Sequence, residues 1–253
     1  MRIGCHAVLF QERIVEEGDA IISKADEIGF EGIEIGSRFF GVENKNGLES
    51  FFAGKRIELS GMHVGTTWDG WITDPDGQRE KVLEVARFLD GFPNRNVIMS
   101  CKAPGGEIDV AGAARAIDAA AAACAQEGAI LHYHNHGWEY EVGATMYSAL
   151  RDHAPKLSFA LDLGWVENAG GDVLGVIGEV ADRVSYVHIR DRGSDGFADL
   201  GEGNTDLKAI IDALRPVLGE TGFMVVEYEE GEQDMERYRR ALAYVRGPAG
   251  VPA

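Results

Sequence analysis

Gly128-Ala129-Ile130-Leu131-His132-Tyr133-His134-Asn135-His136 follows an alanine-rich stretch, about residues 109–127, whose composition favours a helix. A glycine directly after such a stretch takes the left-handed conformation that stops a helix. The apolar residues after it read as a buried strand. The same order recurs at both ends of the chain. Ile21, Ile22, Ala25 and Ile28 have the spacing of one helix face, and Gly29 and then Phe30–Gly36 follow. Leu207, Ile210, Ile211, Leu214 and Leu218 form another such face, closed by Gly222 before Phe223-Met224-Val225-Val226. Helix, glycine and buried strand form the repeating unit of an α/β fold. Strands are expected at about 2–8, 31–36, 57–64, 95–101, 129–134, 157–163, 184–189 and 223–228. Helices are expected at about 18–29, 46–54, 77–90, 109–127, 143–153, 172–182, 205–219 and 232–246. Eight alternating units predict a (β/α)8 barrel, a TIM barrel, as a single domain over 1–246 with a loose tail at 247–253. A doubly wound open sheet is the alternative fold, but no Gly-x-Gly-x-x-Gly follows the first strand.

Composition narrows the function classes. Of the 253 residues, 45% are apolar and 26% charged, as in ordinary globular proteins. No apolar run has the length of a membrane span, and Met1–Phe10 lacks the build of a signal peptide. Cys5, Cys101 and Cys124 are few and far apart, which predicts reduced core thiols and a cytoplasmic protein. The net charge of −18 opposes a polyanionic partner, so no nucleic acid is expected.

In a barrel of this kind the chemistry sits at the C-terminal ends of the strands. Residues able to do chemistry occur there repeatedly: Glu34, His63, the histidine cluster, Asp162, His188, Arg190 and Glu227. His132, His134 and His136 alternate, so on a strand they would share one face. Neighbouring strands would gather His134, Asp162, His188 and Glu227 around one point. Two imidazoles and two carboxylates suit one divalent ion, Mn²⁺ first, with Zn²⁺, Co²⁺ or Fe²⁺ as alternatives. Trp68, Trp71, Trp138 and Trp165 fall near the same loops, and loop 64–76 is long and glycine-bearing, as a lid would be.

The motifs resemble the sugar phosphate isomerase/epimerase family, the xylose isomerase-like TIM barrels. The resemblance rests on Tyr133-His134-Asn135-His136-Gly137-Trp138-Glu139, Leu161-Asp162-Leu163-Gly164-Trp165, Val187-His188-Ile189-Arg190-Asp191, Gly201-Glu202-Gly203-Asn204-Thr205-Asp206 and Val226-Glu227-Tyr228. It implies a single metal held at strands five to eight. Asp162, His188 and Glu227 match ligand positions, and His134 stands where relatives commonly have Glu. The expected reaction is isomerisation or epimerisation of a sugar or cyclitol. A proton next to a carbonyl is abstracted through an enediolate that the metal stabilises. Glu227 is the first candidate base, with His136 and Glu139 behind it, and His63, Trp165, Arg190, Glu34 and Trp68 are candidate substrate contacts. Inosose dehydratase-like members also carry strand-five histidines, so a dehydratase or lyase of keto-sugars is the alternative. An endonuclease IV-like nuclease and a non-catalytic sugar-binding barrel are the remote readings. No phosphate cradle is visible, which favours an unphosphorylated substrate. A homo-oligomer is compatible with such a barrel, and the sequence identifies no interface.

Overall fold

A computed structural model describes residues 1–194 and 196–247. Eight parallel strands close a barrel: β1 Arg2–His6, β2 Gly32–Gly36, β3 Glu58–Thr67, β4 Asn96–Lys102, β5 Ile130–His134, β6 Ser158–Asp162, β7 Val184–Ile189 and β8 Phe223–Val226. Each pairs with its sequence neighbours, and β8 closes on β1 with Ile3 opposite Met224. Outside them run α1 Gly18–Ile28, α2 Lys45–Phe52, α3 Pro75–Phe88, α4 Val110–Gln126, α5 Glu141–His153, α6 Val173–Glu179, α7 Leu207–Leu218 and α8 Met235–Arg246. Short helices at Arg13–Glu16, Trp68–Thr73 and Leu163–Asn168 and a hairpin of Asp191–Arg192 with Phe197–Ala198 fill the connections. The expected tail lies outside the described residues from residue 248 onward.

The local causes are visible in the opening stretch. The Asp109 side chain accepts from Gly112 N at 2.8 Å and caps α4, whose buried stripe includes Ala113, Ile117, Ala120 and Cys124. Gly128 follows at φ +74°, and the chain reverses into β5. Gly29 does the same after α1 at φ +103°. After α7 the left-handed residue is Gly219, not Gly222 as the sequence suggested.

The main core lies between strands and helices. A smaller one, Ile98, Ala160, Tyr186, Phe223 and Val225, plugs the barrel. The lumen is therefore packed below and polar above. Strand register aligns the polar ends: His6 sits beside Glu34, Gly36 beside His63, and Asp162 beside His188.

The stretch 64–76 is not an open lid. β3 continues to Thr67, whose hydroxyl accepts from Gly70 N at 2.9 Å and starts the helix Trp68–Thr73. Among the described residues no helix is long and apolar enough to cross a membrane. All three cysteines are buried and unpaired.

Candidate active site

Every histidine except His153 gathers at the barrel mouth or in its lumen, with ring centroids from 4.5 Å (His134–His188) to 5.8 Å (His6–His63) apart along the cluster. His132 lies deepest, fully buried, with Nε2 3.1 Å from Asn96 Oδ1, and burial lowers its pKa to about 4. It is a neutral wall residue, while His134 ends β5 and His136 sits in the turn beyond.

The hub is Glu34, which has no exposed surface. Its Oε1 lies 3.0 Å from His6 Nε2 and 3.1 Å from His63 Nδ1, and its Oε2 lies 2.7 Å from His188 Nε2. Burial would raise its pKa, but the charge of His188 and the hydrogen bonds from His188 and His6 outweigh this and hold it well below the usual carboxylate range. Glu34 was expected to touch substrate; it instead orients three imidazoles. His6 went unrecognised in the sequence because the first strand was expected to run two residues past it.

Hydrogen-bond accounting assigns the tautomers. His6 Nδ1 accepts from Val8 N at 2.8 Å, so its hydrogen is on Nε2 and points at Glu34. His188 donates Nε2–H to Glu34, and its Nδ1 faces His134 Nδ1 at 2.8 Å. Without a bound cation, burial pushes the His188 pKa down, but Glu34 and Glu227 together raise it to about 9. The ring nitrogens of His188 therefore have different partners, a carboxylate at Nε2 and an imidazole at Nδ1.

Two trios have ligand atoms within 4.8 Å of one another: His6–Glu34–His188 and His134–His188–Glu227. In the first, the nitrogens facing Glu34 carry hydrogens, and Val8 N–H pins His6 in that form. The second fits a cation. Burial and its imidazole neighbours hold His134 neutral. Glu227 Oε2 is buried without a hydrogen-bond partner. Burial would raise the Glu227 pKa, but Arg190 first, then His6 and His188, lower it to about 2, so the oxygen is a charged and unsatisfied acceptor. Glu34 behind His188 is the carboxylate–imidazole support that metal ligands ordinarily have.

Asp162 is not part of that trio. Its Oδ1 caps Trp165 N at 2.9 Å, and its Oδ2 takes Arg190 Nε at 2.6 Å. Burial outweighs Arg190 and raises its pKa, with Glu227 adding to the rise. Arg190, 3% exposed, also reaches Glu227 at 3.0 Å and Glu229 at 2.6 Å. It was expected to contact substrate; the structure places it as a buried tie among three carboxylates, 5.6 Å from the Trp165 ring.

His136 lines the mouth beside His63 and His134. Glu139 backs it: Oε2 accepts His136 N at 2.8 Å, Oε1 lies 3.9 Å from His136 Nδ1, and Oε1 also accepts Tyr133 OH at 2.9 Å. Burial lowers the His136 pKa, but Glu139 reverses this and raises it; burial raises that of Glu139. Trp68 is fully buried and donates to Tyr133 OH at 2.9 Å, so its ring props this relay and is not a wall for substrate. Trp165 remains half-buried beside His136, with ring centroids 6.1 Å apart.

The family model of the xylose isomerase-like TIM barrel matches residues 22–247, and the chain belongs to that family. No curated protein matches it. Among solved structures, a probable 3-DHS dehydratase from Bacillus anthracis is similar at TM-score 0.75 and 16% identity, covering 98% of this chain and 99% of its own. A D-allulose 3-epimerase from Methylomonas sp. is similar at 0.74 and 17%, covering 97% of each chain. A 3-keto-D-glucoside 4-epimerase from E. coli reaches 0.71 and 16%, covering 97% and 99%. At these identities the likeness establishes the shared barrel.

Proposed function

We propose that this barrel is a divalent-metal-dependent enzyme that removes a proton next to the carbonyl of a sugar-like molecule, an isomerase or epimerase. The observation that carries the reading is Glu227 Oε2, buried with no hydrogen bond among the described residues, beside the facing imidazoles of His134 and His188. Those three residues would hold the ion, and two nitrogens with one oxygen suit Mn²⁺, Fe²⁺, Co²⁺ or Zn²⁺. Bound there, such an ion would act as a Lewis acid on a carbonyl oxygen and acidify the neighbouring C–H.

His136 is the better base. A base works best with a pKa near the working pH. Glu227 is held near 2 and its other oxygen is tied to Arg190, whereas His136 is partly exposed and raised by Glu139. His136 would take the proton at a ring nitrogen while Glu139 steadies the imidazolium. Return of the proton to the opposite face gives epimerisation, and return to the adjacent carbon gives isomerisation. Expulsion of a β-oxygen gives dehydration, the second reading, which the same residues serve.

The test combines metal analysis with solvent-deuterium uptake by ketoses. Protein purified without a His tag or chelator is expected to hold one transition metal per chain and to exchange a substrate hydrogen. His188→Ala is expected to lose both. An unloadable wild type, or full occupancy in His188→Ala, would contradict the proposal.

A further inference from the structure

The cavity over the site, about 240 Å³, has an uneven charge balance. Two of its lining carboxylates, Glu227 and Glu229, share the guanidinium of Arg190. Below them Glu34 is surrounded by imidazoles. On the β1–β3 side the wall includes Arg38, in the turn Ser37–Phe39 after β2. Among the described residues no carboxylate pairs with Arg38: its side chain donates to Gln11 Oε1 at 2.9 Å and lies 4.6 Å over the Phe39 ring. The chain carries 42 acidic against 24 basic residues, so a cation at the mouth without an acidic partner is set against the prevailing charge.

The support of Arg38 is unusual too. Gln11 is the one non-glycine residue at positive φ among those described, at φ 48° and ψ −133°. Its amide is fixed at both ends, with Nε2 donating to Val8 O at 2.7 Å and Oε1 accepting from Arg38. Strained backbone persists where surrounding structure holds it, and it clusters at ligand clamps. Here it holds in place the guanidinium of a residue that lines the cavity.

We propose that Arg38 recognises a carboxylate on the substrate, making the site one for a polyhydroxy acid. This rests on the reading of the cavity as the substrate site and extends it from neutral sugars to sugar acids. A planar guanidinium matches a carboxylate with two parallel hydrogen bonds. Among the described residues no lysine or second unpaired arginine lines the cavity, so one negative charge is matched and the second charge of a phosphate is not.

The experiment is calorimetric titration of the purified protein with D-glucuronate, D-glucose and D-glucose 6-phosphate at fixed ionic strength. Wild type, Arg38→Ala and Arg38→Lys are compared, each with and without added Mn²⁺. Glucuronate is expected to bind roughly tenfold to a hundredfold tighter than glucose, the usual range for hydrogen bonds to a charged group. Arg38→Ala is expected to abolish that preference by weakening glucuronate binding, and Arg38→Lys to restore part of it. Equal binding of acid and neutral sugar, no glucuronate binding, or a preference that survives Arg38→Ala would overturn the proposal. Tighter binding of glucose 6-phosphate would overturn the carboxylate assignment in favour of phosphate. Failure of the metal reading shows separately, as wild type that binds no Mn²⁺, because the preference is also measured without metal.

Discussion

Glu34 decides which imidazole nitrogens remain available, and that is a stronger demand on the residue than contact with a substrate. As a carboxylate it accepts from three rings. An amide in its place keeps one acceptor oxygen and turns an N–H₂ toward rings that also present N–H. Glu34→Gln is therefore expected to weaken metal binding roughly tenfold to a hundredfold with the fold intact. Competition against a chelator measures this, and unchanged affinity would show that His188 needs no such support. Gln11→Gly tests the other side of the cavity. It removes the positive-φ strain but also both amide hydrogen bonds, so stability is expected to change by less than about 1 kcal/mol, while the released Arg38 loses its preference for the acid. Thermal melting and the titration above read the two effects independently. The strand-end rule made it legible in the sequence that Glu34, His63, His134, Asp162, His188 and Glu227 would come together at one end of the barrel. It could not assign their duties. The division of labour between Asp162, tied to Arg190, and Glu227, left with a free oxygen, depends on partners about 28 and 37 residues away along the chain.

At the level of elements, the helix–glycine–strand order was legible because each unit is decided locally by a cap, an apolar stripe and a left-handed glycine. β3 was expected to end at about residue 64, with 64–76 as a loop, but it runs to Thr67. The strand continues because its partner β4 runs equally far, pairing Gly65 with Ser100 and Thr67 with Lys102. That information lies about 35 residues away. Gly61 serves packing, since a Cβ there would stand 3.1 Å from Asn96 O and 3.2 Å from the Ile98 side chain. Gly32 in β2 is more demanding: an added Cβ would lie 2.5 Å from the Phe223 ring and 2.7 Å from Ser60 Cβ. Phe223 belongs to the plug that fills the lower barrel, and its fixed surroundings leave little room to yield. Gly32→Ala is expected to destabilise the protein by about 1–3 kcal/mol. Urea unfolding should show a lower midpoint with an unchanged slope. A midpoint equal to wild type would mean that the plug repacks freely.

Across the whole molecule, barrel closure and net charge act in opposite directions on the site. Closure places residues from β1, β2, β5, β6, β7 and β8 around one volume, and three of the groups meeting there, Glu34, Asp162 and Glu227, are buried acids. The surrounding charge of −18 concentrates cations near the protein and raises the chance of unspecific divalent binding. Stability separates the specific ion from the unspecific ones. An ion that binds only the folded site stabilises it by about 2.7 kcal/mol at a hundred times its dissociation constant. For a chain of this size that corresponds to a rise in Tm of roughly 5–10 °C. Chelated wild type is expected to gain that rise on adding Mn²⁺ in 0.3 M salt, where surface attraction is screened within about 6 Å. His188→Ala is expected to melt at one temperature with or without Mn²⁺, because removing that imidazole breaks the donor set and leaves the surface charge untouched. An equal rise in both proteins would assign the binding to the acidic surface, and the trio of His134, His188 and Glu227 would then need another explanation for its partnerless oxygen.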